Sequence, residues 1–299
     1  MTTRVTPCVP PFPYFGGKRR AAADVWRLLG NVSRYVEPFF GSGAVLLGSP
    51  YRPKSELVND RCGYIANVWR SIQQDPDTVE RLASAPCDEV ELKARHRWLY
   101  EGEGAERIAA VDWDDLAACD PEVAGVWLWA ACAAIKPGNA DLCVQARGVK
   151  ALRAAGRLGP VRDRLQRVCV RRGDWTRCVT PAALMVTQNG HAATGLIGIF
   201  LDPPYGEGDG VHYEDGTGDV ARDVWAWALA NGDNPQLRIV VAGYDDGRDV
   251  PDGWATVERA EKGGYANQGE NANRHRERLW ASPHCVGVQA DLFATKGEP

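Results

Sequence analysis

Four successive residues, Asp202-Pro203-Pro204-Tyr205, set a carboxylate, two rigid imino acids and an aromatic ring directly after an apolar run. Proline fixes φ and has no N–H to donate, so this turn is stiff and its carbonyls point outward. The arrangement suits a particular problem in amine chemistry. The exocyclic amino group of a purine is a weak nucleophile, because its lone pair is delocalised into the ring. A carboxylate and a nearby backbone carbonyl that accept its two hydrogens favour the pyramidal, nucleophilic form. Asp202 and the carbonyl of Pro203 supply both acceptors, and Tyr205 offers a flat face on which an extruded base can stack. The plainer alternative is an Asp-Pro turn that only closes a strand.

Three further groups could hold a ligand. Phe39-Phe40-Gly41-Ser42-Gly43 follows Glu37 and Pro38, and its glycines would let a ligand approach the backbone closely. Taken alone, such a turn serves many cofactors or none. Asn59-Asp60 ends a short apolar segment; an acidic residue there can accept from a ribose diol or cap the next helix. Tyr14-Phe15-Gly16-Gly17-Lys18 combines a freed backbone with a cation for a carboxylate or phosphate, the alternative being a solvated surface loop.

The elements that must position these groups follow from periodicity. Tyr35 to Phe39 reads as a strand, Phe40 to Gly43 as a turn, and Ala44 onward as a helix. Leu57-Val58 ends a second strand, and Gly63 to Gln74 has Ile65, Val68, Trp69 and Ile72 at helical spacing. From about Pro76 to Val168 the texture is helical: Asp88 to Tyr100, Pro121 to Ile135 and Val149 to Arg167. Val168 to Val170 resumes a strand, ended by Arg171 to Trp175. Gly195 to Leu201 is a continuous apolar run suited to a buried parallel strand. Val220 to Ala230 reads as a helix, with strands at Leu237 to Val241 and Glu277 to Ser282. Polar loops are expected at Gly206 to Gly218 and Gly263 to Arg274. Strands alternating with helices predict an α/β fold with a parallel sheet, in which ligands bind at the carboxyl ends of strands. The motifs above all sit at such ends.

Composition narrows the class. The 299 residues can bury one full core and a smaller lobe. A formal net charge of -4 gives no global basic footprint, so any nucleic-acid contact must come from local patches. The nine cysteines contain no C-x-x-C pair, which removes zinc-site spacing, and no metal is expected. They read as reduced thiols of a cytoplasmic protein. Met1 to Pro13 lacks the apolar core of a signal peptide, and the longest apolar run, Val123 to Ile135, is too short to span a membrane.

In order and spacing, Tyr14 to Lys18, Glu37 to Gly43, Asn59-Asp60 and Asp202 to Tyr205 resemble the Dam-type, D12-class DNA adenine-N6 methyltransferases. The resemblance implies a Rossmann-like, S-adenosylmethionine-dependent methyltransferase sheet with an inserted helical target-recognition lobe. Residues 1–75 and 168–299 would form the catalytic domain and 76–167 the lobe. It implies that Tyr14, Gly16, Gly17, Lys18, Glu37, Pro38, Phe39, Phe40, Gly41, Ser42 and Gly43 contact S-adenosylmethionine. Asp60 would hold its ribose, Asp174 and Trp175 its adenine, with Asp202 beside it. Asp202, Pro203, Pro204 and Tyr205 would hold the target adenine, flipped out of double-stranded DNA. A cognate restriction enzyme is a further implied partner.

The lobe departs from the best-known family pattern, so the recognition sequence does not transfer. In its place stand Lys136-Pro137-Gly138-Asn139 and a basic stretch with Arg147, Lys150, Arg153 and Arg157, either a phosphate-contacting stripe or a solvated helix face. Trp127 and Trp129 read as core. Arg274, His275, Arg276 and Arg278 form a second phosphate-contact candidate. The loop from Glu207 to Gly218, with His212 and Tyr213, could close over a flipped base. The rival readings are an N4-cytosine methyltransferase, which acts on the same kind of amine, and a catalytically silent DNA-binding protein on the same scaffold. C5-cytosine chemistry needs a thiolate after a strand, and neither Pro7-Cys8 nor Pro86-Cys87 offers one.

Overall fold

The computed structural model describes residues 7–14, 18–86, 88–133, 158–185, 195–204, 217–245, 247–258 and 277–288. Phe15, Gly16, Gly17, Tyr205, the loop to 216, the basic stretch 136–157 and residues 274–276 lie outside the described residues. Packing divides the chain into two compact units. One comprises Met1–Ala22 and Phe40–Cys178, the other Ala23–Phe39 and Val179–Pro299. The strands form a seven-stranded mixed sheet.

In the first unit, β2 (Ser55–Asp60) and β3 (Val168–Arg172) run parallel, with Asn59 opposite Arg171 and Asp60 opposite Arg172. The short α2 (Ala44–Leu47) follows the glycine turn, and all four of its residues are buried. Helix α3 (Gly63–Gln74) buries Ile65, Val68, Trp69 and Ile72, the positions its periodicity selects. The helical texture beyond Pro76 appears as α4 (Pro76–Ala83), α5 (Glu89–Glu101), α6 (Glu103–Ala109), α7 (Pro121–Ala133) and α8 (Leu158–Leu165). Local chemistry starts these helices. Asp75 accepts from Thr78 N at 3.1 Å with Pro76 in the first turn, and Asp88 accepts from Glu91 N at 2.8 Å. Helix α7 is buried on nearly every side, with Trp127 and Trp129 in the core as expected. It packs on α3, α4 and α5.

In the second unit, α1 (Ala22–Leu29) leads into β1 (Arg34–Glu37), which pairs in parallel with β4 (Ile197–Leu201); β4 in turn pairs in parallel with β5 (Leu237–Tyr244). β7 (Glu277–Ala281) is antiparallel to β5 and to the edge strand β6 (Ala255–Glu258). Every residue of β4 is buried, which explains its unbroken apolar sequence. Burying side chains such as Ile199 and Phe200 contributes about 1.5–3 kcal/mol each. The short α9 (Pro181–Leu184) and α10 (Thr217–Asn231) complete the unit. α1, α9 and β6 were not expected from periodicity, and β5 runs three residues beyond the expected Val241.

Candidate functional site

The first unit builds a rigid turn from Phe40 to Gly43. Gly41 and Gly43 adopt φ of 47° and 64°, a region that side chains with a Cβ enter at a cost, so the glycines are a backbone requirement. The turn is held by one internal hydrogen bond and three from outside it. Phe40 N donates to Asn59 O at 2.9 Å, and Gly43 N to Phe40 O at 2.8 Å. Trp69 Nε1 donates to Gly41 O at 2.9 Å, and Gly41 N to Asp60 Oδ2 at 2.9 Å. The Phe40 and Trp69 rings pack with centroids 5.0 Å apart.

Asp60 stands at the carboxyl end of β2 and is buried. Its Oδ1 accepts from Cys62 N at 2.9 Å, so each carboxylate oxygen holds one backbone N–H, from two different loops. Burial pushes its carboxyl up to about 6, although the N–H bonds from Cys62 and Gly41 oppose the shift. The cap of α3 expected as one alternative is absent in strict form: Cys62 occupies the N-cap position and makes no side-chain cap bond. Each Asp60 oxygen keeps a lone pair in addition to the one used.

Other expected residues belong to the same unit. A Cβ placed on Gly41 would lie 2.9 Å from Cε1 of Tyr14, so the Tyr14 ring covers the turn closely. Lys18 is buried, and its carbonyl accepts from Ala22 N at 2.9 Å at the start of α1. Asn59 Nδ2 donates to Gly173 O at 3.0 Å and Gly173 N to Asp60 O at 3.2 Å, which ties the tip of β2 to the segment leaving β3. That segment carries Asp174, exposed and accepting from Thr176 N at 2.9 Å, and Trp175, which is buried. Ser42 is buried too.

The second unit positions the remaining candidates on adjacent parallel strands. Val36 of β1 lies opposite Ile199 of β4, so Glu37, Pro38 and Phe39 leave β1 at the same end at which Asp202, Pro203 and Pro204 leave β4. Glu37 is buried and its Oε2 accepts from the Tyr35 hydroxyl at 2.8 Å. Asp202 and Pro204 are half-buried, and Pro203 is buried.

Sequence reasoning missed two side chains that shape the first unit. Trp69 was assigned only to a helix face, yet its indole N–H holds the glycine turn. Arg70 is fully buried and donates to the carbonyls of Val170, Trp113, Asp115 and Ala118. Its position on α3 between apolar residues was the available signal.

The seven described cysteines are thiols. Burial pushes those of Cys62 and Cys285 up to about 11, far from a reactive thiolate. Among the described residues, no three His, Cys, Asp or Glu side chains are grouped to hold a metal, and no helix is long and apolar enough to cross a membrane.

No curated protein matches the chain at a significant level. A family model does, and its matched span contains Tyr14, Lys18, the glycine turn and Asp60, while Asp202 lies beyond it. The mixed α/β sheet is consistent with the fold of S-adenosylmethionine-dependent methyltransferases. Residues 14–102 match the D12 class N6 adenine-specific DNA methyltransferases, which supports adenine-N6 methylation of DNA as the activity of this enzyme.

Proposed function

We propose that the chain transfers a methyl group from S-adenosylmethionine to the N6 amine of an adenine flipped out of double-stranded DNA. The observation that carries this reading is the stiff Asp202-Pro203-Pro204 turn at the tip of the fully buried strand β4. Asp202 and the Pro203 carbonyl accept the two hydrogens of the amine, which turns its lone pair outward. Tyr205 stacks on the extruded base. Positioning supplies most of the rate, and no covalent enzyme intermediate is needed.

The family generally uses S-adenosylmethionine, whose sulfonium supplies an activated methyl group when bound. The residues of the first unit fit such a ligand. The glycines let the turn pack directly beneath the Tyr14, Phe40 and Trp69 rings, and the buried Asp60 carboxylate retains lone pairs suited to a ribose diol. Tyr14, Gly16, Gly17 and Lys18 line the same ligand. Asp174 accepts from the adenine amino group, and Trp175 packs beside it. The helices of residues 76–167 form the lobe that reads the DNA.

The test is expression in a host that lacks DNA methylation, followed by nucleoside analysis and mapping of modified bases. N6-methyladenine at a defined sequence is expected, with loss of at least about 10²–10³ in rate on Asp202→Ala in a folded protein. N4-methylcytosine, no modification at all, or an active Asp202→Ala variant would overturn the proposal.

A further inference from the structure

A cleft in the first unit carries a surplus of cationic side chains. A cavity of about 170 Å³ is lined by Arg171, Arg172 and Arg177, together with Asn59, Trp113 and Asp114. Three arginines thus line it with a single acidic residue. That carboxylate compensates weakly: Arg177 Nη2 is 3.8 Å from Asp114 Oδ1, and both side chains are largely exposed, at 61% and 91%. A sulfonium would be repelled here, whereas guanidinium forks match phosphate oxygens.

Both walls are fixed without any ligand. Arg70, fully buried, donates to the Val170 carbonyl on the β3 side and to the Trp113 and Asp115 carbonyls on the other. Asn59 holds Gly173 O, which sets the course of the chain between Arg172 and Arg177. The Arg172 guanidinium lies over the Trp113 ring, 5.6 Å from its centroid, and Arg172 Nε donates to Arg61 O at 3.3 Å. Of the three arginines, Arg172 is thus held in place, which lowers the cost of ordering it on a bound anion.

We infer that this arginine cleft grips a backbone phosphate of the DNA substrate. The inference rests on the proposed function and adds a contact that the cofactor and flipped-base residues do not supply. It places a phosphate site outside the basic stretch 136–157.

The test uses the full chain with Arg171→Gln and Arg177→Gln, singly and combined, and Arg177→Lys as the charge-retaining control. Arg172 stays in place because it packs on Trp113. DNA affinity is measured against salt concentration, alongside S-adenosylmethionine affinity and methylation at saturating DNA. The glutamine variants are expected to bind DNA more weakly and to lose about 0.9 from the slope of log affinity against log salt for each phosphate released. Arg177→Lys should keep most of the slope, and cofactor affinity should not move. An unchanged slope in the double variant overturns the inference. So does a loss of cofactor binding with DNA binding intact, or a change only in inhibition by free dAMP, which would assign the cleft to a small phosphorylated ligand. If the wild-type protein methylates no DNA, it is the proposed function that fails; the salt slope still reads the cleft separately.

Discussion

Asp60→Asn separates the work of one carboxylate from its cost. In the wild type the two oxygens accept from Gly41 N and Cys62 N, each at 2.9 Å. Asparagine keeps one acceptor and turns an NH₂ donor towards the other N–H. One hydrogen bond to a charged group is lost, worth about 1.5–3 kcal/mol. If the glycine turn transmits that loss to its ligand, S-adenosylmethionine binds about 10- to 150-fold more weakly. Titration calorimetry between pH 5 and 8 reads this directly. Because burial raises the carboxyl to about 6, wild-type affinity should also decline as pH falls through that value, while the Asn variant stays flat at the acid level. Folding stability moves the opposite way. The unfolded carboxyl ionises near ~3.9, so the folded state holds its proton more tightly and stability falls as pH rises from about 4 to about 6. The loss is on the order of 3 kcal/mol, and the Asn variant escapes it. The expected fingerprint at pH 7.5 is therefore a weak cofactor binder that unfolds no more easily than wild type. Wild-type affinity that is flat across this range, or an Asn variant that binds normally at pH 7.5, would refute the reasoning.

Two other perturbations test neighbouring parts of the structure. Gly41→Ala must adopt a φ of 47° and place its Cβ 2.9 Å from the Tyr14 ring; the left-handed backbone costs roughly 1–2 kcal/mol, and cofactor affinity should fall about tenfold by calorimetry. Glu56→Gln breaks a buried ion pair in which Arg164 meets Glu56 at 2.5 and 2.7 Å, with side chains 1% and 3% exposed. Removing one partner of such a pair costs about 3–5 kcal/mol, so thermal unfolding should shift down by roughly 5–8 °C, and combining Glu56→Leu with Arg164→Met should restore most of it.

What could be read in advance divides by the range of the interaction. The Asp202 turn and its strand were readable because a strand buried on both faces must be apolar throughout, and β4 is IGIFL with every residue buried. The glycine turn was readable because φ of 47° and 64° leaves little choice but glycine. Strand β6 was not, since four residues with alternate burial at a sheet edge carry no distinctive pattern. Asp60 marks the boundary. Its position at a strand tip was evident, but local spacing offered only a helix cap or a ligand contact. The bond it makes to Gly41 spans 19 residues of sequence and depends on β2 standing beside the turn. Arg70 shows the same limit more sharply. Among Ile65, Val68, Trp69 and Ile72 it would pass for a surface charge, yet it is buried because four carbonyls, from Trp113 to Val170, converge on its guanidinium. A buried charge survives only where its hydrogen-bonding capacity is met, and here the partners come from parts of the chain up to 100 residues away. Patterns of hydrophobicity therefore locate the strand tips at which the candidate residues stand. The polar side chains that hold those tips still are fixed by main-chain groups that only the fold brings within reach.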